Sequence, residues 1–593
     1  MKEFFKMVFA TIVGIFLFSL ILGLFAVMSL VGMVASGSSV KSVDDNSVMV
    51  LKLNGDLEER SQDNYENLLL GGSTSGIGLD DVLAAIKKAK ENEDIKGIYI
   101  EAGMFSSDSY ASLQAIRRAL SDFRKSGKWV VSYADTYSQG TYYLASVANK
   151  IYINPEGMVD WHGIASTPIF LKDALAKFGV KIQLAKVGAY KSAPEMFTAD
   201  HMSDANREQV TAYINGIWEN ILKEVSASRN IPVDSLNKYA DEMTPLATTE
   251  QLMAMKLVDG VCYTDEVKGI VKKLLKIDDD DDINQLSLAD MGSVKEPESE
   301  GDQIAVYYAF GDIVDGNNSS GLSGDGAVID AQVVCKDLEK LTNDDDVKAV
   351  VLRVNSGGGS AYASEQIWHQ MELLKKKKPV VVSMGGMAAS GGYYISCNSN
   401  WIVAEPTTLT GSIGIFGMFP DASGLLKDKL GVKFDEVKTN KNSAFGTMSR
   451  PFNEEEMSYL NTYIERGYKL FRKRVADGRK LSVDAVEAVA QGHVWLGQDA
   501  LKHKLVDQLG SLDDAVAKAA KLAKLDKYHT EPYPAMPDFF EQLMSSMDEN
   551  TGSYLDKTMR AALGEYYEPF LLLRNINRHS AIQARIPYQP NIH

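Results

Sequence analysis

One serine and one lysine, about 200 residues apart, carry the chemistry that this sequence suggests. Ser390 lies in Gly-Gly-Met-Ala-Ala-Ser-Gly-Gly-Tyr-Tyr (385–394), where small neighbours leave its hydroxyl uncovered. An unactivated hydroxyl is a weak nucleophile and needs a base beside it. Histidine is the usual base, but neither glycine-rich motif of the chain contains one. His369, the nearest in sequence, falls in an amphipathic helical segment, where a surface or packing role is the better reading. Lysine can serve instead, because burial disfavours its ammonium form and brings the pKa down to roughly 7–8. Ser/Lys versions of the serine-hydrolase arrangement are established chemistry.

Lys191, in Tyr-Lys-Ser-Ala (190–193), is singled out by an internal duplication. Thr-Tyr-Ser-Gln-Gly-Thr-Tyr-Tyr (136–143) is a near-copy of the serine region, and aligning Gly140-Thr-Tyr-Tyr with Gly391-Gly-Tyr-Tyr places Gln139 opposite Ser390. The same offset carries Lys191 onto Asn442, in Lys-Asn-Ser-Ala (441–444). Each copy therefore holds one reactive side chain where the other holds an amide. Two copies have divided one Ser/Lys site between them. Taken singly, Lys191 reads as a solvated lysine and Ser390 as a small residue in a tight strand-to-helix turn; the pairing across copies changes that.

A third element is Arg353-Val-Asn-Ser-Gly-Gly-Gly-Ser (353–360), between an expected strand and an expected helix. Glycines let backbone N–H groups approach a ligand, and the helix start adds a positive dipole end. That suits an oxyanion hole. A phosphate-binding loop is the competing use, but the lysine and hydroxyl of a Walker motif are missing. The first copy has Glu101-Ala-Gly-Met-Phe-Ser there and has lost the cluster.

The elements that must position these residues are read from the apolar pattern. Ala349–Val354 and Val380–Met384 read as continuous apolar strands, with a helix over Ala361–Lys377 between them. Strands of that kind alternating with helices indicate an α/β fold whose sheet is covered on both faces. Lys96-Gly-Ile-Tyr-Ile matches Lys348-Ala-Val-Val-Leu, and Phe178-Gly-Val-Lys matches Leu430-Gly-Val-Lys, so the duplication extends through both units. The expected order is a juxtamembrane and anchor segment (1–45), a first repeat (46–277), an acidic linker (278–302), a second repeat (303–527) and a C-terminal tail without assigned role (528–593). The linker begins at Asp278–Asp282, a run that cannot build a core.

A chain of 593 residues is too long for one core. A net charge of −17 argues against nucleic acid, which calls for a basic face. Cys262, Cys335 and Cys397 lack metal-ligand spacing and are expected to be buried thiols, so neither metal nor cofactor is indicated. Met7 to Ala35 contains no charge and is long enough to span a bilayer once. Lys2 and Lys6 before it place the long C-terminal part on the non-cytoplasmic side. A cleavable signal near Ala35-Ser-Gly-Ser is the other reading.

With these motifs the chain resembles the long, duplicated form of the signal peptide peptidase A family over roughly residues 45–525. The resemblance implies tandem Clp-protease/crotonase-like ββα domains behind one N-terminal transmembrane helix in a bacterial inner membrane, facing the periplasm. It implies Ser390 as nucleophile, Lys191 as general base, the backbone N–H groups of Gly358 and Gly391 as oxyanion donors, and Ser412 as the residue that orients the lysine. Trp161 is the first-copy counterpart of Ser412. The family pattern has proline at position 357, where this chain has Gly357. The implied activity is hydrolysis of apolar peptides, chiefly cleaved signal peptides, through an acyl-enzyme in a homotetramer. Two other readings stand beside it: a crotonase-like acyl-CoA enzyme and a non-catalytic membrane scaffold.

Overall fold

The computed structural model describes residues 42–61, 76–294, 300–316, 327–447, 449–535 and 582–585, with isolated positions between 4 and 18. The expected anchor, Met7–Ala35, lies almost wholly outside the described residues. Among those described, no helix is long and apolar enough to cross a membrane.

Each repeat builds one sheet. In the first, Gly76–Gly78, Ser47–Glu58, Ile95–Ser107, Trp129–Tyr137, Lys150–Val159 and Gly260–Val261 lie side by side, all parallel. In the second the order is Val494–Leu496, Leu409–Gly411, Val380–Ala389, Val347–Ser356, Asp302–Phe310 and Tyr528–Tyr533. There only Val494–Leu496 runs antiparallel to its neighbour. Val380–Ala389 is buried at every residue, which is why it reads as an apolar run broken only by Ser383. The helix Ala361–Lys375 between the central strands starts at Ser360, whose side chain accepts from the Ala363 N–H. The duplication also shows in two long helices, Asp204–Arg229 and Glu454–Arg479, each of 26 residues and each stopped by a left-handed residue, Asn230 or Lys480.

A third, smaller sheet joins the repeats. Its order is Val328–Asp330, Asp312–Val314, Gly358–Ser360, Ile582–Arg585, Phe416–Asp421 and Lys181–Lys186. Lys181–Lys186 comes from the first repeat and pairs antiparallel with Phe416–Asp421 of the second over six residues. The cores are joined as well: Met387, Ala389, Leu409, Val494 and Leu496 of the second repeat pack into the first repeat's apolar cluster.

Two expectations are revised. The segment read as a solvated linker is partly folded onto the first repeat: Gln285–Leu286 pairs with Ser47–Glu58, and Leu286, Met291 and Val294 are buried. The aspartate run hid this, because its charge dominates the local composition while the apolar residues that dock come after it. Of the three free cysteines, Cys262 and Cys397 are buried but Cys335 is only half-buried. The tail contributes too, since Tyr528–Tyr533 adds an edge strand parallel to Asp302–Phe310.

Candidate active site

The strand Val380–Ala389 ends on Ser390, and the helix Gly391–Ser396 starts on the next residue. Ser390 makes that reversal at φ 56°, ψ −112°, a conformation costly for any residue with a Cβ. It is held there by an N–H···O bond of 2.8 Å to the Gly411 carbonyl. The turn tolerates only glycine after the serine. A Cβ on Gly391 would lie 2.8 Å from Ser364 Oγ, and one on Gly392 would lie 2.6 Å from the Ser356 carbonyl oxygen.

Lys191 reaches the same place from the other repeat. It comes after the strand Lys181–Lys186, whose pairing with Phe416–Asp421 brings the segment alongside. Residues Gln491 and Gly492 then clamp it: the Tyr190 N–H donates to the Gln491 carbonyl at 3.0 Å, and a Cβ on Gly492 would stand 2.6 Å from Lys191 Cα. Gln209, buried on the helix Asp204–Arg229, donates to the Tyr190 carbonyl at 3.0 Å and accepts from the Val494 N–H at 3.1 Å. Nothing in the sequence marked Gln209, Gln491 or Gly492, because a Gln-Gly-His triplet carries no motif and the contacts span about 300 residues.

The two side chains meet. Lys191 Nζ lies 2.7 Å from Ser390 Oγ, 3.0 Å from Ser412 Oγ and 3.1 Å from the Ser412 carbonyl oxygen. Lys191, Ser390 and Ser412 are all fully buried. Burial alone pushes the Lys191 pKa well below the ordinary lysine value, and no carboxylate offsets it. A neutral amine has two N–H donors and one lone pair. Three partners suit that form: its two N–H groups can go to Ser412 and its lone pair can accept from the Ser390 hydroxyl. Ser412, like Ser390, has positive φ, 49°, and its N–H donates to the His493 carbonyl at 2.7 Å.

Gly358 and Gly391 are neighbours, since a Cβ on Gly358 would lie 2.8 Å from the Gly391 nitrogen. Gly358 adopts φ +105°. Its N–H donates to Ser356 Oγ at 3.1 Å, whereas the Gly391 N–H belongs to the first turn of its helix, where no helical carbonyl is available. Arg353 and Asn355 of the glycine-loop motif turn away from this point and tie the loop to the first repeat. Arg353 Nε pairs with Glu59 Oε1 at 2.5 Å, and Asn355 Nδ2 donates to Glu59 Oε2 at 3.0 Å and Asp108 Oδ2 at 2.8 Å. Removing one partner of such a buried pair costs about 3–5 kcal/mol.

The first-copy counterparts are closed. Gln139 is buried and uses its whole amide, donating to Tyr110 Oη and the Gly163 carbonyl and accepting from the His162 and Gly163 N–H groups. Trp161 is buried and donates to the Leu236 carbonyl. Asn442 is exposed in a turn, and His369 is exposed on its helix. Among the described residues, no cluster of His, Cys, Asp or Glu is arranged to hold a metal.

Comparison with known proteins agrees with the twofold layout. Residues 122–278 and 372–526 each match the family model described as Peptidase family S49, and residues 324–401 match the model described as Clp protease. A protein of Salmonella typhi named Protease 4 is 38% identical over 531 residues, covering 87% of this chain and 84% of its own. Protease 4 of Haemophilus influenzae is 38% identical over 465 residues, 75% of this chain and 73% of that one. The Serine protease SPPA, chloroplastic, of Arabidopsis thaliana is 29% identical over 532 residues, 88% and 76% of the two chains.

Proposed function

The chain belongs to peptidase family S49 and is a serine peptidase, and on that premise we propose that Ser390 and Lys191 form a catalytic dyad assembled across its two repeats. One observation carries the reading: the 2.7 Å contact between two buried side chains 199 residues apart. Lys191 Nζ takes the hydroxyl proton as Ser390 Oγ attacks the scissile carbonyl carbon. The oxyanion forms against the Gly391 N–H and the Gly358 N–H, which exchanges its bond to Ser356 Oγ for the developing charge. The ammonium of Lys191 then protonates the leaving amine, and the C–N bond breaks to leave an ester on Ser390. Lys191, neutral again, activates the water that releases the acyl group. Ser412 holds the amine on line throughout.

Peptides of apolar character, including signal peptides left in a membrane after preprotein cleavage, are the proposed substrates. The apolar, uncharged stretch Met7–Ala35 supports a single-pass anchor in a bacterial inner membrane, with the repeats on the periplasmic side. A homotetramer is proposed from the family resemblance. With peptidase membership established, the acyl-CoA and scaffold readings fall away.

The test is covalent labelling. A fluorophosphonate probe should modify Ser390 alone in the full chain, and Lys191→Met should abolish the modification. Labelling of another serine, or labelling unaffected by the lysine substitution, refutes the dyad.

A further inference from the structure

The strand that leads into the glycine loop and the strand that ends at Ser390 run side by side, yet they part just before the site. Val354 lies opposite Met384 and Ser356 opposite Ala388, so one strand advances two residues while the other advances four. Asn355 fills the gap this leaves. Its Oδ1 accepts from the Met387 N–H at 3.0 Å, and its backbone carbonyl accepts from the Gly311 N–H at 3.0 Å. Asn355 stands three residues before Gly358, and Met387 three residues before Ser390. One side-chain amide therefore ties together the two strands that deliver the oxyanion donors Gly358 and Gly391.

What orients that amide comes from the first repeat. Asn355 Nδ2 donates to Glu59 Oε2 at 3.0 Å and to Asp108 Oδ2 at 2.8 Å. Glu59 is buried, and its other oxygen is taken by Arg353. Asp108 sits at the start of the helix Tyr110–Lys125, where its Oδ1 accepts from Ser112 Oγ at 2.8 Å and the positive end of the helix favours a carboxylate. Two glycines make room for these groups. A Cβ on Gly385 would lie 2.9 Å from Glu59 Oε2, and one on Gly386 would collide with Ser109 Oγ. The first repeat has lost the glycine loop, and there Gly103 replaces Asn355, counted from the match of Glu101 with Arg353, while Ala134-Asp135 replaces the two glycines. The clamp is thus present with the loop and absent without it.

We infer that Asn355 is a positioning residue that sets the spacing of the two oxyanion donors, and that Glu59 and Asp108 of the first repeat hold it to that task. This rests on the dyad reading above. Two N–H groups stabilise a tetrahedral oxygen only when both point at the place it will occupy, and a displacement of about 1 Å costs about 10²-fold in rate. The first repeat therefore supplies more than the base. Lys191 reaches one side of Ser390, while the two carboxylates act on the other side, through Asn355, on the donors that face the oxyanion.

The experiment compares the full wild-type chain with Asn355→Ala in hydrolysis of an apolar fluorogenic peptide and in inhibition by the aldehyde of the same peptide. Ser390 Oγ adds to the aldehyde carbon, its proton passes to Lys191, and the aldehyde oxygen takes up negative charge against Gly358 and Gly391. Asn355→Ala is expected to lower kcat by about 10²-fold and to raise the aldehyde Ki by about the same factor. KM and the acid limb of the pH profile, which reports Lys191, should stay in place. Asp108→Ala, at a less buried position, should move kcat and Ki in the same directions by about tenfold. It should add little to Asn355→Ala in the double variant, and it decides the matter if Asn355→Ala does not fold. A kcat loss with unchanged aldehyde Ki, or a loss confined to the fraction of chains that fluorophosphonate labels at completion, assigns these residues to stability alone and overturns the inference. Wild-type rates in both variants overturn it too. A wild-type chain whose Ser390 takes no fluorophosphonate overturns the dyad instead.

Discussion

The two repeats share a fold and a turn but treat that turn oppositely. In the second, Ser390 and Ser412 sit at positive φ with their hydroxyls around a buried amine. In the first, neither Gln139 nor Trp161 has positive φ. Gln139 satisfies all four of its hydrogen-bonding positions within its own repeat, and Trp161 packs edge-on against Tyr142. The glycine loop differs in the same sense. Val347–Ser356 breaks before Gly358–Ser360, whereas the first repeat runs on as one strand, Ile95–Ser107. Of these paired positions, only the two beside the amine are held at positive φ. The repeat that gave up its serine relaxed into a packed, hydrogen-bonded core and kept its lysine for its neighbour.

That contrast can be broken by exchanging parts. Ser390→Ala and Lys191→Met should each lower kcat/KM by about 10⁴-fold or more, and the double variant should be no worse, since the two act as a unit. Multiplying losses, read from steady-state kinetics, would show that the residues act independently. Lys191→Met should also be the more stable protein, by about 1 kcal/mol in denaturant melts, because it removes a buried group that resists carrying charge.

Next in size is Gly492→Ala. Its Cβ would press on the Lys191 backbone at 2.6 Å and its φ is +82°, so the amine is displaced. A loss of about 10²-fold in kcat is expected, with fluorophosphonate labelling of Ser390 slowed in parallel. Ser412→Ala removes one hydrogen bond to the lysine and should cost about 10- to 100-fold.

The pH profile tests the same base. Activity should rise with pH through the depressed pKa of Lys191 and be lost below it, because only the neutral amine accepts a proton. For stability the sign is worked out from proton uptake. Between that depressed pKa and the roughly 10.4 of an unfolded lysine, the unfolded chain binds more protons, so this residue makes stability increase with pH. Lys191→Met should flatten that slope; a slope unchanged in the variant would place the titration elsewhere. The smallest effect on activity belongs to the first repeat. Gln139→Ser should leave hydrolysis unchanged and add no second labelled serine, yet destabilise the fold by about 2 kcal/mol as its buried partners go unpaired.

How much of this was legible beforehand differs by residue. Ser390 and Lys191 could be found because duplication left each beside a changed counterpart, and because strand and helix periods surround them with recognisable apolar runs, whereas Ser412 was implied by the family resemblance. The central strands Val347–Ser356 and Val380–Ala389 were visible because their middles are buried on both faces, so apolar residues run on through 349–352 and 380–382. Local composition misled at 278–302, where aspartates masked the docking of Leu286 and Met291. The sequence by itself determined the α/β class, the twofold repeat and which side chains could react. Only the tertiary structure decided that the amine stands 2.7 Å from the hydroxyl, that Gln491 and Gly492 hold it there, and that the Ala584 carbonyl oxygen lies beside Gly358 and Gly391. These contacts join segments about 200 to 300 residues apart, and all but the first run through backbone atoms, which leave no mark on the identity of a residue.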